Sequence, residues 1–140
     1  MYALRVEVIA SANQMYQGYL QKDMSFGQYP PYKASGMAYI RFAREESNLF
    51  KLLFMRDRSQ EIVSDGWNEI RPLVRLIQES TGMSEENARL FHIGMWVYVH
   101  GIATMIATGY LDWDEDLTSR MVTENYLGLK MRFSQKEDAQ

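Results

Sequence analysis

Residues 90–110 read LFHIGMWVYVHGIATMIATGY, and these 21 positions contain no Asp, Glu, Lys or Arg. That is long enough to cross a bilayer. The content argues against it. His92, His100, Thr104, Thr108 and three glycines interrupt the run, and every neighbouring segment has the pattern of a soluble amphipathic helix. A helix that is apolar all round also suits the interior of a protein. The expectation is a soluble chain with no membrane partner. Phe91, Met95, Tyr98, Ile102 and Met105 form one stripe at helical spacing. His92, Trp96, Val99, His100, Ala103 and Ala107 form a second, roughly opposite stripe. Gly94, Gly101 and Ala103 allow another helix to approach closely.

Working outward, no strand alternation of useful length appears, and six helical segments do. The first runs from about Ala3 to Lys22, with Leu4, Val8, Ala12, Met15 and Tyr19 on one stripe beside Ile9, Tyr16 and Leu20. Gly27 and the Pro30-Pro31 pair end it and open a second helix, about Pro31 to Arg44, since proline suits a first helical turn. Ser47 is the expected N-cap of a short third helix, Asn48 to Met55. Arg56–Gln60 reads as a polar loop. A fourth helix lies between Glu61 and Ser80, with Trp67, Ile70, Val74 and Ile77 on one face. Pro72 implies either a start near Glu69 or a kink. Gly82 closes it. Ser84 caps the long fifth helix, which runs to about Thr108 and ends at Gly109. Asp112 or Asp114 caps a sixth, ending near Ser134. Asp112 and Glu115 have capping-box spacing. The tail from Gln135 is expected to fray.

The chain has 140 residues, which fits one domain. Its net charge of −3 and pI near 5.4 argue against a nucleic-acid module. The absence of cysteine excludes disulfides, thiol catalysis and thiolate zinc sites. The N-terminus lacks the features of a signal peptide. Met 10, Tyr 9, Phe 6 and Trp 3 together make one fifth of the chain. That is ample bulk for a core. For the fifth and last helices the plain reading is a monomer core, and the sharper one is that the two pair with their symmetry mates in an isologous dimer.

Catalytic patterns are missing. There is no phosphate-binding glycine loop and no nucleophile elbow. His92 and His100 are eight residues apart and lack metal-ligand spacing, so no metal and no cofactor are expected. The carboxylates Glu45-Glu46 and Asp112–Asp116 lie at helix ends, where capping and solvation account for them. Met15, Tyr16, Tyr19, Met37, Tyr39, Phe54, Trp67, Trp96 and Tyr98 are spread over several helices. Ordinary core is the plain reading for each alone. Together, adaptable Met and amphipathic Tyr and Trp suit a pocket for a mostly apolar or aromatic molecule. A lipophilic cation held over the rings is another ligand of the same pocket.

Two stretches resemble known sequences. Residues 38–45 (AYIRFARE), followed by residues 48–54 (NLFKLLF), resemble the passage of helix, tight break and short helix in the C-terminal domain of TetR/AcrR-type transcriptional regulators. Residues 95–104 (MWVYVHGIAT) resemble the Trp-x-x-x-His-Gly stretch of the same domains. The resemblance spans nearly the whole chain. It implies an all-α, six-helix domain that binds a small-molecule effector and forms a homodimer. The last two long helices, here about Ser84–Thr108 and Asp114–Ser134, would supply a four-helix interface. It implies a cytoplasmic bacterial regulator in which a helix-turn-helix headpiece binds operator DNA. No such headpiece is visible in these 140 residues, which are expected to start at the helix that follows it through truncation. The chain alone is expected not to bind DNA. The candidate ligand-binding residues are Met15, Tyr19, Met37, Phe54, Trp67, Trp96 and His100, with Trp96 and His100 facing the pocket. The candidate dimer residues are Phe91, Met95, Tyr98, Ile102, Met105, Met121 and Tyr126. No catalytic activity is expected. A small all-α enzyme using His92 and His100, and a module binding a partner helix, are the alternative readings.

Overall fold

In the computed structural model, which describes residues 2–59 and 67–138, every described element is an α-helix. The order is α1 Tyr2–Phe26, α2 Pro31–Glu45, α3 Ser47–Phe54, α4 Trp67–Thr81, α5 Glu85–Ala107 and α6 Glu115–Asp138. The side chains at 67–69, including Trp67, lie outside the described residues. Two compact units emerge, each built from separate parts of the chain. The first holds residues up to Ser59 together with Val99–Trp113. The second holds, among the described residues, 67–98 and 114–138. The chain of α5 therefore contributes its C-terminal part to the first unit and its N-terminal part to the second.

In the first unit α1, α2 and α3 pack together. Ala34, Ala38, Phe42, Ala43 and Phe50 are fully enclosed. A single residue, Glu46, separates α2 from α3. Its N–H donates to the Phe42 carbonyl at 2.8 Å, and its own carbonyl accepts from Phe50 at 2.8 Å. Ser47 is thus the first residue of α3 and Glu46 its cap, one residue earlier than expected. The expected stripe of α1 is buried only in part. Ala12 is enclosed, whereas Leu4, Val8 and Met15 are exposed. Gly109 closes α5 with φ of 78°, a value that strains any residue with a Cβ. The chain reverses there as the Tyr110 N–H reaches the Met105 carbonyl at 2.8 Å. Arg44 of α2 donates to the Trp113 carbonyl, and its guanidinium lies 3.5 Å from Asp112.

In the second unit α5 and α6 share an aromatic core. The Phe91 ring, 0% exposed, meets Tyr126 edge-on at 5.3 Å and Phe133 at 6.1 Å. A Cβ on Gly94 would come within 3.2 Å of a Leu129 methyl, so glycine permits this helix spacing. Asn125 donates to the Met95 sulfur at 3.3 Å. Pro72 lies inside α4, so the helix continues through it at the cost of one backbone donor.

The helix ends explain two departures from expectation. Asp114 caps α6, accepting the Leu117 N–H at 2.8 Å, while Asp112 sits beside Arg44 instead. The tail does not fray at Ser134. Helix α6 continues to Asp138 because Glu137 accepts the Ser84 N–H at 2.9 Å and the Asn87 amide at 2.6 Å. Those bonds hold the Glu137 carboxyl below the usual carboxylate range, the Ser84 backbone bond being the largest cause. Ser84 Oγ also accepts the Asn87 N–H at 3.2 Å, as expected of a cap.

Helix α5 has the length and a mean hydropathy of 1.4 that a membrane span requires, and 44% of that window is buried inside the protein. A core helix passes the same test.

Two substitutions in the second unit should separate packing from hydrogen bonding. Phe91→Ala removes an enclosed ring and should cost about 3–5 kcal/mol in urea unfolding. Thr118 is 2% exposed, and its hydroxyl has no partner among the described residues. Thr118→Val should leave the unfolding midpoint unchanged or raise it, because no hydrogen bond is lost. A clear loss of stability in Thr118→Val would show that its hydroxyl is bonded.

Candidate functional site

Tyr39 and Phe42 share a face of α2 at i, i+3, and Phe50 and Phe54 share a face of α3 at i, i+4. Folding of the first unit gathers these four rings with Tyr16 from α1 and His100 from α5. Tyr39 meets Tyr16 at 5.8 Å, Phe50 at 5.3 Å and Phe54 at 4.9 Å. Tyr16 also meets Phe42 at 5.4 Å and Phe54 at 5.2 Å. Most of these pairs are tilted or edge-on, the arrangement that ring quadrupoles favour. The His100 ring lies 6.0 Å from both Tyr39 and Phe50. Tyr39, Phe42 and Phe50 are buried, whereas Tyr16, Phe54 and His100 are half-buried and form the accessible edge.

One short hydrogen bond ties this cluster together. Tyr39 Oη and His100 Nδ1 are 2.6 Å apart. Burial pushes the Tyr39 phenol far above its ordinary value, with the neighbouring Tyr16 as a second cause, and burial does the same to Tyr16. Burial lowers His100, so the imidazole is held neutral. His92, buried in the second unit, is lowered for the same reason.

Charge collects beside the cluster, where the Tyr19 ring meets Phe42 edge-on at 5.3 Å. The Arg41 guanidinium lies over the Tyr19 ring at 4.3 Å. It donates to Asp23 at 2.7 Å and to Glu45 at 3.2 Å. The Tyr19 hydroxyl donates to Glu45 at 3.3 Å.

The expected ligand residues therefore divide. Phe54 and His100 belong to the ring cluster. Met37 is buried in the same unit, Tyr19 faces Arg41 and Glu45, and Met15 is exposed. Trp96 lies in the second unit and is 49% exposed. Tyr16 and Tyr39, named among the aromatic residues that suit a pocket though not among the candidate ligand residues, belong to the cluster, and Phe42 and Phe50 join them. The i, i+3 and i, i+4 ring spacing on α2 and α3 was the signal for Tyr39, Phe42 and Phe50. The second unit also holds a shallow cleft of about 240 Å³ lined by Arg71, Val74, Arg75, Gln78 and Glu85, none of them an expected ligand residue. Among the described residues no three metal-ligating side chains converge.

The expected dimer residues also need correction. Phe91, Met95 and Ile102 are buried in the folded chain. Tyr98, Met121 and Tyr126 are half-buried, and Met105 is exposed. The apolar side chains that the second unit leaves exposed are Leu90, Ile93, Trp96 and Val97 on α5, and Leu117, Leu127 and Met131 on α6.

The two lowered histidines predict the pH dependence of stability. Both stay neutral in the folded chain where unfolded imidazoles, near 6.5, already take up protons. The unfolded state then binds more protons, so stability should be fully present above about pH 6.5 and fall as pH drops below it. Urea midpoints at pH 7.5 and 5.5 measure this. Equal midpoints would contradict the burial of the imidazoles.

A family model described as tetracyclin repressor-like, C-terminal domain matches residues 32–124. No curated protein and no solved structure matches the chain. The match runs from α2 into α6 and covers well over half of the sequence; it includes Tyr39, Phe42, Phe50, Phe54 and His100 of the ring cluster but neither Tyr16 nor the α6 residues Leu127 and Met131. The chain belongs to the family of tetracycline repressor-like C-terminal domains.

Proposed function

We propose that this chain is the ligand-sensing and dimerisation domain of a bacterial TetR-like transcriptional regulator. The family match over residues 32–124 carries the reading. In this proposal all six helices act as one domain. The ring cluster of the first unit receives a small, mostly apolar or aromatic effector, with Phe54 and His100 at its accessible edge. Met37 supports the cluster from α2. Met15, Tyr19, Trp67 and Trp96 remain candidates for ligand contact. Effector binding changes how a helix-turn-helix headpiece, which these 140 residues do not supply, meets operator DNA. The regulator acts in the cytoplasm and has no catalytic role.

The dimer surface in this proposal differs from the buried stripe. Leu90, Ile93 and Val97 line α5, with Gly94 between them. Leu117, Met121, Gly128 and Met131 succeed one another along α6 at four-, seven- and three-residue steps, a spacing that stays on one face. Apolar surface of this kind, left open by the chain's own folding, supports association with a second copy. Tyr98 and Tyr126 are placed at the margin of that surface, and Met105 is a further candidate on the first unit.

Sedimentation equilibrium at micromolar concentration should give twice the chain mass of 16.4 kDa. Val97 is 58% exposed, so Val97→Glu should keep the helical circular dichroism while shifting the mass towards one chain. A monomeric parent chain would end the dimer claim. A thermal-shift panel of apolar, aromatic and cationic aromatic compounds tests the sensor claim. Stabilisation by at least one class is expected, and a flat response across all of them would end it.

A further inference from the structure

The cleft of the second unit is built by the turn that joins α4 to α5. Arg71, Val74, Arg75 and Gln78 recur on α4 at i, i+3, i+4 and i+7, the spacing of one helix face, and all four line the cleft. Gly82 follows α4 with φ of 75°, and the chain passes through Met83, which is 4% exposed. Gln78 spans this turn, its amide donating to the Met83 carbonyl at 3.5 Å. The turn thereby delivers Glu85, the first residue of α5, to the same cleft. The volume of about 240 Å³ lies below the usual range of drug-sized sites, so the cleft suits a small molecule.

Two opposite charges in this cleft are unmatched. Among the described residues the side chains of Arg75 and Glu85 take part in no ion pair or hydrogen bond, with each other or with any other group. Glu137 of α6, which also reaches the turn, is engaged by Ser84 and Asn87. Glu86 shares the first turn of α5, so the positive end of that helix has a carboxylate besides Glu85. A simple anion in the cleft would meet Arg75 but face Glu85. A simple cation would meet Glu85 but face the guanidiniums of Arg71 and Arg75. A molecule carrying both charges matches both walls. A guanidinium fork receives a carboxylate through two parallel hydrogen bonds, and a carboxylate accepts readily from an ammonium group.

We propose that this cleft binds a small zwitterion of the α-amino-acid class, with Arg75 holding its carboxylate, Glu85 its ammonium group, and Val74 supplying the apolar lining. The site belongs to the second unit and does not depend on the effector reading of the ring cluster.

Three matched probes test it by backbone-amide NMR titration of the whole chain: leucine, 4-methylpentanoate, which lacks the amine, and 3-methylbutylamine, which lacks the carboxylate. Leucine should give saturable shifts on α4 around Val74–Gln78 and at the first turn of α5. It should bind about fivefold tighter than either analogue, the effect of one more exposed charge pair. Arg75→Gln should weaken leucine about fivefold without weakening the amine. Glu85→Gln should weaken leucine about fivefold without weakening 4-methylpentanoate. Both residues are exposed, so the variants should keep the parent's helical circular dichroism. Leucine and 4-methylpentanoate binding equally would make the cleft a plain anion site and overturn the proposal. Leucine and the amine binding equally would overturn it as a plain cation site. The absence of saturable shifts, or shifts confined to the ring cluster, would also overturn it. None of these results touches the effector reading, which the thermal-shift panel tests separately.

Discussion

Helix α5 carries no charged side chain from Leu90 to its end at Ala107, so every face of it favours burial over contact with water. The rest of the chain is arranged around that constraint. In the second unit α5 gives Ala88, Phe91, His92 and Met95 to the core. In the first unit it gives Val99, Ile102, Ala103 and Ile106. What remains is still apolar: Leu90, Ile93, Trp96 and Val97 stay exposed after the chain has folded on itself. Intrachain burial thus consumes only part of the surface that the sequence makes apolar, and the proposed function uses the remainder.

The second constraint is polar. A ring cluster can be built from phenylalanine alone, without any hydrogen bond to satisfy. This chain places tyrosines at 16 and 39 and a histidine at 100 instead. A buried phenol needs a hydrogen-bond partner, and His100 Nδ1 supplies one at 2.6 Å. The pairing makes the cluster directional where a purely apolar core would be indifferent. Tyr19 solves the same problem differently, directing its hydroxyl to Glu45 near solvent and offering its ring to Arg41.

Much of the architecture was legible from residue spacing. Six helices, their order, the Ser84 cap and the stops at Gly82 and Gly109 all follow from periodicity and from residues with a single strong local preference. The continuation of α6 past Ser134 was not legible, because it depends on Glu137 meeting Ser84 and Asn87 some fifty positions away. Nor was the choice between Asp112 and Asp114. Both suit a cap locally, and Arg44 at long range accounts for Asp112. The membership of the ring cluster was partly legible. Tyr16, Tyr39, Phe54 and His100 were named in the sequence reading, Phe42 and Phe50 were not read as pocket residues, and the pairing of Tyr39 with His100, 61 residues away, was not legible.

The misreading of α5 has a specific physical origin. Phe91, Met95 and Ile102 do form a stripe, but a helix with apolar residues on every side carries several equally regular stripes. Periodicity cannot rank them. The glycines discriminate better. A Cβ at Gly94 would press on Leu129, so packing within the second unit already explains it. Gly128 of the same unit and Gly101 of the first have no described atom within 4 Å of such a Cβ. Each glycine costs a helix about 1 kcal/mol relative to alanine, and neither of these two recovers it through close contact inside the chain. Gly128 lies in register with the outward residues Leu117, Met121 and Met131. A small residue there suits the close approach of a second helix backbone, which is why the proposed interface is placed on this outward stripe and the Phe91 stripe is assigned to the core.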